Sequence, residues 1–330
     1  MQYDESNVRE CPVIFMDQVE RQETEWLWYP YIPRGKLTII QGDPGEGKST
    51  FALYLAACLT RGTTVEQPRL SEHAPQLVCY QNAEDGLADT IKPRLEKAGA
   101  DCRLVLCADD SADPIEIADG RIEMIMREFH PALMILDPMQ AYLGSFVDMH
   151  RANEVRPVMS CLASLAEKYH CAVILIGHLN KASKIKSLYR GLGSIDLTAA
   201  ARSVLLIARD PAHPENRVLM QIKNSLAEEA APAAFSLDSD GKVQWLGAYE
   251  ITLDEIMNQN PKAPTRRDQA AELIQEMLAE TGSASAHSIY AAAKERGLSQ
   301  NALARAKQML GIRTCKTPEG WFWAGSARIQ

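Results

Sequence analysis

The sequence predicts an α/β protein: a mostly parallel sheet flanked by helices, followed by a second, small helical domain that closes on a hairpin. Three observations carry this. From residue 35 to about 210, short apolar β-branched runs alternate with helical patterns. A glycine-rich turn follows the first of those runs, and a polar, proline-containing stretch at 258–267 separates this region from three further helical segments.

The apolar runs are LTII (37–40), LVCY (77–80), LVLC (104–107), ALMIL (132–136), AVILIG (172–177) and SVLLIA (203–208). Continuous rather than alternating apolar runs are what strands buried on both faces look like, so a parallel sheet covered by helices follows. Residues 50–59 and 153–168 read as two of the covering helices. Residues 217–246 differ, with RVLMQIKN and then AFSLDSDGKVQWLG around an Asp-Gly turn, and resemble antiparallel strands closing the edge of the sheet. The stretch NQNPKAPTRR reads as a linker. Beyond it lie DQAAELIQEMLAE, SAHSIYAAAKERG and LSQNALARAKQMLG, with Ser299 placed to cap the third helix and Gly311 to end it. IRTCKTPEGWFWA then reads as two strands around a Pro-Glu-Gly turn. Three helices and a hairpin, with Gly297 between helices two and three, form the pattern of a winged helix-turn-helix. The expected division is a domain over 1–257 with an extension at 1–30, the linker 258–267, and a small domain over 268–330.

Composition bounds the function. At 330 residues, 46% apolar and 24% charged, the chain falls among globular proteins and outside the disordered class. Neither a basic leader running into an apolar segment nor a stretch of ~18 apolar residues is found, so a cytoplasmic protein without membrane contact is expected. Eight cysteines lie scattered without a CxxC pair, which argues against a zinc site or a disulfide framework. The formal charge of -8 argues against a surface coated for duplex binding. Its distribution is uneven: residues 261–330 hold 10 Lys+Arg against 6 Asp+Glu, net +4, leaving 35 - 10 = 25 against 43 - 6 = 37, net -12, for residues 1–260.

The chemistry concentrates at strand ends. Gly42-Asp43-Pro44-Gly45-Glu46-Gly47-Lys48-Ser49 follows LTIIQ and opens a helical segment with Thr50, the context in which such a turn holds phosphate. Its glycines let successive amides face phosphate oxygens, and the helix N-terminus adds its positive end. Lys48 is then expected on the β- and γ-phosphates of ATP and the Ser49 hydroxyl on Mg2+. Asp137, ending ALMIL, delivers a carboxylate where ligands of parallel sheets bind and is a second Mg2+ candidate. Glu84, just past LVCYQN, is placed to polarise the water that attacks the γ-phosphate; the alternative is that Glu84 and Asp85 merely cap the helix beginning near Gly86. His178, ending AVILIG, is either a γ-phosphate sensor or a histidine satisfied at a strand end. The loop after it carries Lys181, Lys184, Lys186 and Arg190 with no acid, which suits a single-stranded DNA backbone or a solvated charge run. Arg202 opens SVLLIA and is either a surface charge or an arginine supplied across a subunit interface. In the tail, Asn301, Arg305 and Lys307 stand on the helix that would face DNA, while Trp321, Phe322 and Trp323 alternate across a strand, so at least one of them is core.

In order, IPRGKLTIIQGDPGEGKST, QNAEDG, ILDPMQAYLG, GHLNK and RGLGSIDLTAAARSVLLIARDP resemble the RepA-type replicative helicase branch of RecA-like ATPases, found in plasmids, phages and mobile elements, over about residues 25–245. The resemblance implies Lys48 and Ser49 on phosphate and magnesium, Glu84 as base, Asp137 on magnesium, His178 as sensor and Arg202 as a finger reaching a neighbouring copy. It also implies a homo-hexameric ring with shared ATP sites, channel loops including 181–190 that grip single-stranded DNA, and replication-initiation proteins as partners. The simplest members of that branch lack the added tail domain. Three functions stay open: a DNA-translocating motor, a recombination or loader ATPase without unwinding, and an ATP-dependent DNA-binding switch.

Overall fold

The computed structural model describes residues 13–66, 73–144, 147–149, 151–178, 195–258, 266–279, 282–317 and 320–324. The chain divides into two compact units, Met1–Ile251 and Thr252–Gln330. Among the described residues no helix is long and apolar enough to cross a membrane.

The first unit opens with β1 (Trp26–Trp28) and β2 (Ile32–Pro33), a short antiparallel pair. There follow β3 (Leu37–Gly42), α1 (Lys48–Arg61), β4 (Val78–Asn82), α2 (Lys92–Ala98), β5 (Val105–Leu106), α3 (Arg121–Phe129), β6 (Leu133–Asp137), α4 (Ala152–Lys168), β7 (Ala172–His178), α5 (Ile195–Ala200), β8 (Ser203–Arg209), β9 (Asn216–Asn224), β10 (Ala233–Leu237) and β11 (Val243–Ala248). Nine of these strands make one sheet in the order β11-β10-β9-β8-β3-β7-β6-β4-β5. Neighbours from β8 to β5 pair in parallel, and β9, β10 and β11 extend the β8 side antiparallel. This is the α/β architecture that the apolar runs and the Asp-Gly turn pointed to.

β3 and β6 are buried at every position, as strands covered on both faces must be. α1 runs beneath the sheet with Phe51 through Thr60 all buried, the condition that selects a helix apolar on every side. Gly62, at φ 69°, ends α1 and donates its amide to Leu59 O. An aromatic cluster ties α1 to its surroundings: Phe51 stacks on Phe235 of β10 at 5.2 Å, and Trp28 of β1 meets Trp245 of β11 edge-on at 5.8 Å. The antiparallel edge is thereby locked against the helix that carries Lys48.

The second unit contains α6 (Leu253–Asn258), α7 (Arg266–Ala279), β12 (Ser283–Ser285), α8 (Ala286–Glu295), α9 (Gln300–Met309), β13 (Arg313–Thr317) and β14 (Gly320–Ala324), with the strands in the antiparallel order β12-β14-β13. Its core joins Leu273 and Ile274 of α7, Ile289 of α8, Leu303 and Ala306 of α9 and Trp323 of β14. Ser299 accepts the Ala302 amide at 3.2 Å, capping α9. β12 has no counterpart in the sequence reading, because three small residues, Ser-Ala-Ser, carry no strand pattern of their own. Most of the linker expected at 258–267 lies outside the described residues.

Candidate nucleotide site

The glycine-rich turn sits at the carboxyl end of β3, the middle strand of nine. Parallel pairing brings other strand ends to the same edge: Gly42 is in register with His178 across β3 and β7, and Asn82 with Asp137 across β4 and β6. Ligands of open parallel sheets bind along this edge.

Two glycines shape the turn for different reasons. Gly47 takes φ 91° as the residue before α1, a left-handed conformation that an L side chain resists. Gly42 is required by space, since a Cβ there would lie 2.1 Å from the Ile207 carbonyl oxygen of β8. Lys48 is 4% exposed, and its Nζ donates to the carbonyl oxygens of Gly42 and Asp43, each at 2.9 Å. Burial pulls its pKa below the ordinary lysine value, while the carboxylates of Asp137, Asp43, Glu46 and Glu84 push it back up. The ammonium group is thus held by two backbone carbonyls within the field of four carboxylates.

A cavity of about 550 Å³ opens over the turn, with Gly45, Lys48, Ser49 and Glu84 on its wall, Arg94 of α2 at one side and Lys242 of the β10–β11 hairpin at another. That volume falls within the roughly 300–1,000 Å³ of small-molecule sites, and four cations on its wall, Lys48, Arg94, Lys97 and Lys242, against Glu84 and Asp240 suit a polyanion. Three buried polar atoms around the turn, Gln41 Oε1, Glu46 Oε2 and Arg217 Nε, have no hydrogen-bond partner among the described residues, nor do Thr38 Oγ1, Gln140 Oε1 and the Tyr142 hydroxyl away from it.

Asp137 is 4% exposed, and Tyr80 of the adjacent strand donates its hydroxyl to Asp137 Oδ2 at 2.7 Å. Burial, and then the Asp137 charge, hold the Tyr80 pKa well above its usual value, so the phenol stays a donor. One carboxylate oxygen is thereby fixed and the other left for a cation. With the Ser49 hydroxyl on the neighbouring wall, these hard oxygen donors fit Mg2+, which takes one or two protein oxygens and completes its shell with phosphate and water.

Glu84 is exposed and follows a turn that Asn82 builds: Asn82 Oδ1 accepts the amides of Glu84 at 3.0 Å and Asp85 at 2.6 Å, and the Ala83 amide donates to Asp137 O at 3.1 Å. Asp85 is paired with Arg94 at 2.7 Å, leaving Glu84 and, from the β10–β11 hairpin, Asp240 as the carboxylates on the cavity wall. The helical stretch beyond begins at Gly86 without a side-chain cap from either acid.

The remaining candidates fall elsewhere. His178 ends β7 beside Gly42, and its side chain lies outside the described residues, as do Lys181, Lys184, Lys186, Arg190 and the side chain of Asn301. Arg202 is exposed before the first residue of β8; its amide bonds Leu37 O, five positions from Gly42 and thus ~16 Å along the sheet from its own turn. Arg305 is exposed on α9, whereas Lys307 lies over the Trp323 ring and bonds the Thr314 hydroxyl.

Sequence reasoning missed four residues at the site. Tyr80 acts across the β4–β6 pairing on Asp137, and Asn82 acts within its own loop on the amides of Glu84 and Asp85. Arg209 at the end of β8 bonds Gly45 O at 3.3 Å and approaches Glu46 at 3.6 Å. Arg217 of β9 holds the carbonyls of Pro214 and Glu215 at 3.0 Å, and its Cγ lies 3.9 Å from where a Gly47 side chain would begin. Only the ARDP end of the β8 run hinted that a cation would return to the turn.

Replacing Tyr80 with Phe is expected to leave the fold intact and to raise the Mg2+ concentration that half-saturates ATP turnover about tenfold, the usual size of losing a partner behind a metal ligand. Titrating Mg2+ at saturating ATP checks it; an unshifted midpoint removes Tyr80 from that role.

A family model described as an AAA domain matches residues 2–184. The chain is 26% identical over 227 residues to the DNA repair protein RadA of Streptococcus pneumoniae, covering 68% of this chain and 47% of the relative. The RadA of Bacillus subtilis is 23% identical over the same length, covering 68% and 44%. The chain therefore spans about half the length of the curated relatives it matches. Among solved structures, an ATPase domain superposes with a TM-score of 0.49 at 14% identity, covering 65% of this chain and 85% of that one.

Proposed function

The chain belongs to the AAA-domain family of P-loop ATPases, and on that premise we propose that it is an ATP-driven motor that moves along single-stranded DNA, of the RepA-type replicative helicase branch. The observation that supports this most is the convergence of Lys48, Ser49 and Glu84 on one cavity, with Asp137 buried beside Lys48. In this reading the turn from Gly42 to Ser49 and Thr50 cradles the triphosphate, Lys48 leaves its two carbonyl partners for phosphate oxygens, and Glu84 takes a proton from the attacking water. Asp137 and Ser49 hold Mg2+, which supplies neutralisation of charge on the phosphates. His178 senses the γ-phosphate, and the basic residues Lys181 to Arg190 grip the strand.

A homo-hexamer with shared sites fits two placements. Arg202 is exposed at the end of the sheet away from its own turn, a position open to a neighbouring copy. Val13, Ile14, Phe15 and Met16 are each at least 68% exposed, a concentration of apolar surface that self-association would cover. The second unit is read as a winged helix-turn-helix with α9 in the recognition position, offering Asn301, Arg305 and Lys307.

A second reading, a recombination ATPase that assembles on DNA without separating strands, draws support from the similarity to the DNA repair protein RadA. A forked-duplex assay separates the two. Unwinding that requires ATP and Mg2+ is the expected result. ATP turnover stimulated by single-stranded DNA with no strand separation favours the recombination reading, and DNA binding gated by ATP with negligible turnover favours a switch.

A further inference from the structure

The sequence leaves open which of Trp321, Phe322 and Trp323 belongs to the core. In the second unit Trp323 is 3% exposed and packs into the core, while Trp321 is 55% exposed, alone among the five tryptophans in being exposed. Strand alternation puts both on one face of β14, with Lys316 opposite Trp321 and Thr314 opposite Trp323 on β13. Lys316 Nζ lies 5.7 Å from the Trp321 ring centroid and Lys307 Nζ 4.6 Å from that of Trp323. On the far side of Trp323, Tyr290 of α8 meets it edge-on at 5.6 Å and is itself 43% exposed. The face therefore alternates rings and ammonium groups, from Tyr290 through Trp323 and Lys307 to Trp321 and Lys316.

Among the described residues none of Arg305, Lys307, Arg313 or Lys316 enters an ion pair, whereas Arg296 of the same unit is paired with Glu276 at 2.8 Å. The surrounding segment is basic, 10 Lys+Arg minus 6 Asp+Glu giving +4 over residues 261–330, in a chain of net -8. An exposed indole loses hydration on being covered, and a flat ring flanked by ammonium groups matches a ligand that is itself a flat ring beside a phosphate. An acidic peptide would satisfy the lysines but has no ring for the indole.

We propose that the β13–β14 hairpin is a stacking platform for unpaired nucleobases of single-stranded DNA, with Trp321 under a base and Lys316 on the adjoining phosphate. The assignment rests on the reading of this chain as a DNA-binding ATPase. It shifts the contact of the second unit from α9 alone to the hairpin beside it, since Lys307 is already engaged by Trp323 and Thr314.

The test uses the full chain and fluorescein-labelled oligo-dT, with an abasic strand of equal length and charge as the control. Wild type is expected to bind oligo-dT more tightly than the abasic strand. Trp321→Ala should lower oligo-dT affinity about tenfold and erase the difference between the two strands, whereas Trp321→Phe, which keeps a ring, should retain most of it. Lys316→Ala should reduce the dependence of log affinity on log salt by about 0.7, one phosphate contact on a single strand. Oligo-dT affinity unchanged in Trp321→Ala, with DNA still bound, overturns the platform and leaves the DNA-binding reading standing with its contacts elsewhere. Failure of wild type to bind either strand overturns both. Loss in Trp321→Ala of binding to a poly-glutamate peptide, with oligo-dT unaffected, overturns the platform in favour of an acidic protein partner.

Discussion

Lys48→Ala is expected to reduce ATP turnover by about 10³-fold or more, with a fold indistinguishable from wild type by circular dichroism. The ammonium group is the only cation directly bonded within the turn to the Gly42 and Asp43 carbonyls among the described residues, and it faces the charges of Asp137, Asp43, Glu46 and Glu84. When a triphosphate enters, removing that cation leaves those carboxylates and the phosphates to repel each other in a buried site, where charge is poorly screened. Stabilising developing charge on the transferred phosphoryl group is the main work such a site performs, so the loss falls on turnover as well as on binding. Folding should not suffer, because burial already disfavours the lysine charge and alanine is the best helix former at the start of α1. Steady-state turnover with a coupled phosphate assay checks the effect. Residual activity above about a tenth of wild type would remove Lys48 from phosphate binding.

How far the site was legible depends on whether a function needs contiguous residues or neighbours brought together by pairing. The turn from Gly42 to Ser49 was legible as a glycine-shaped strand-to-helix turn because the residues that build it are contiguous in sequence. Asp137 was legible for a related reason: a run of buried apolar residues that ends abruptly in a carboxylate reports the edge of a sheet. Tyr80 was not, since it reaches Asp137 only because β4 pairs with β6, across more than fifty residues of chain, whereas Asn82 bonds the amides two and three residues on, a local pattern that the sequence did carry. The limit that hid Tyr80 also hid Arg209, which the parallel pairing of β8 with β3 brings to the turn, and Arg217, which comes back along β8 on the antiparallel β9. In the tail, the alternation of Trp321, Phe322 and Trp323 said that at least one ring must be core but not which one. The choice came from α8, whose Tyr290 packs against Trp323, an interaction no local pattern encodes.

Glu84→Gln is expected to bind a non-cleavable ATP analogue within about threefold of wild type while turnover falls 10²- to 10⁴-fold, the range general-base removal produces. Glutamine preserves the size and the hydrogen-bonding reach of the side chain and removes only its ability to accept a proton. The loop that carries it is fixed from behind by Asn82 and by the Ala83 amide on Asp137 O, so the substitution should not disturb the turn. Asp85 provides an internal control: its carboxylate lies one residue away but is bound to Arg94, so Asp85→Asn should lose far less turnover than Glu84→Gln. Calorimetry with the analogue and single-turnover hydrolysis separate binding from chemistry. Equal losses in the two variants would mean that negative charge on this loop, rather than a base at Glu84, is what turnover requires; near-normal turnover in Glu84→Gln would move the base to another residue on the cavity wall.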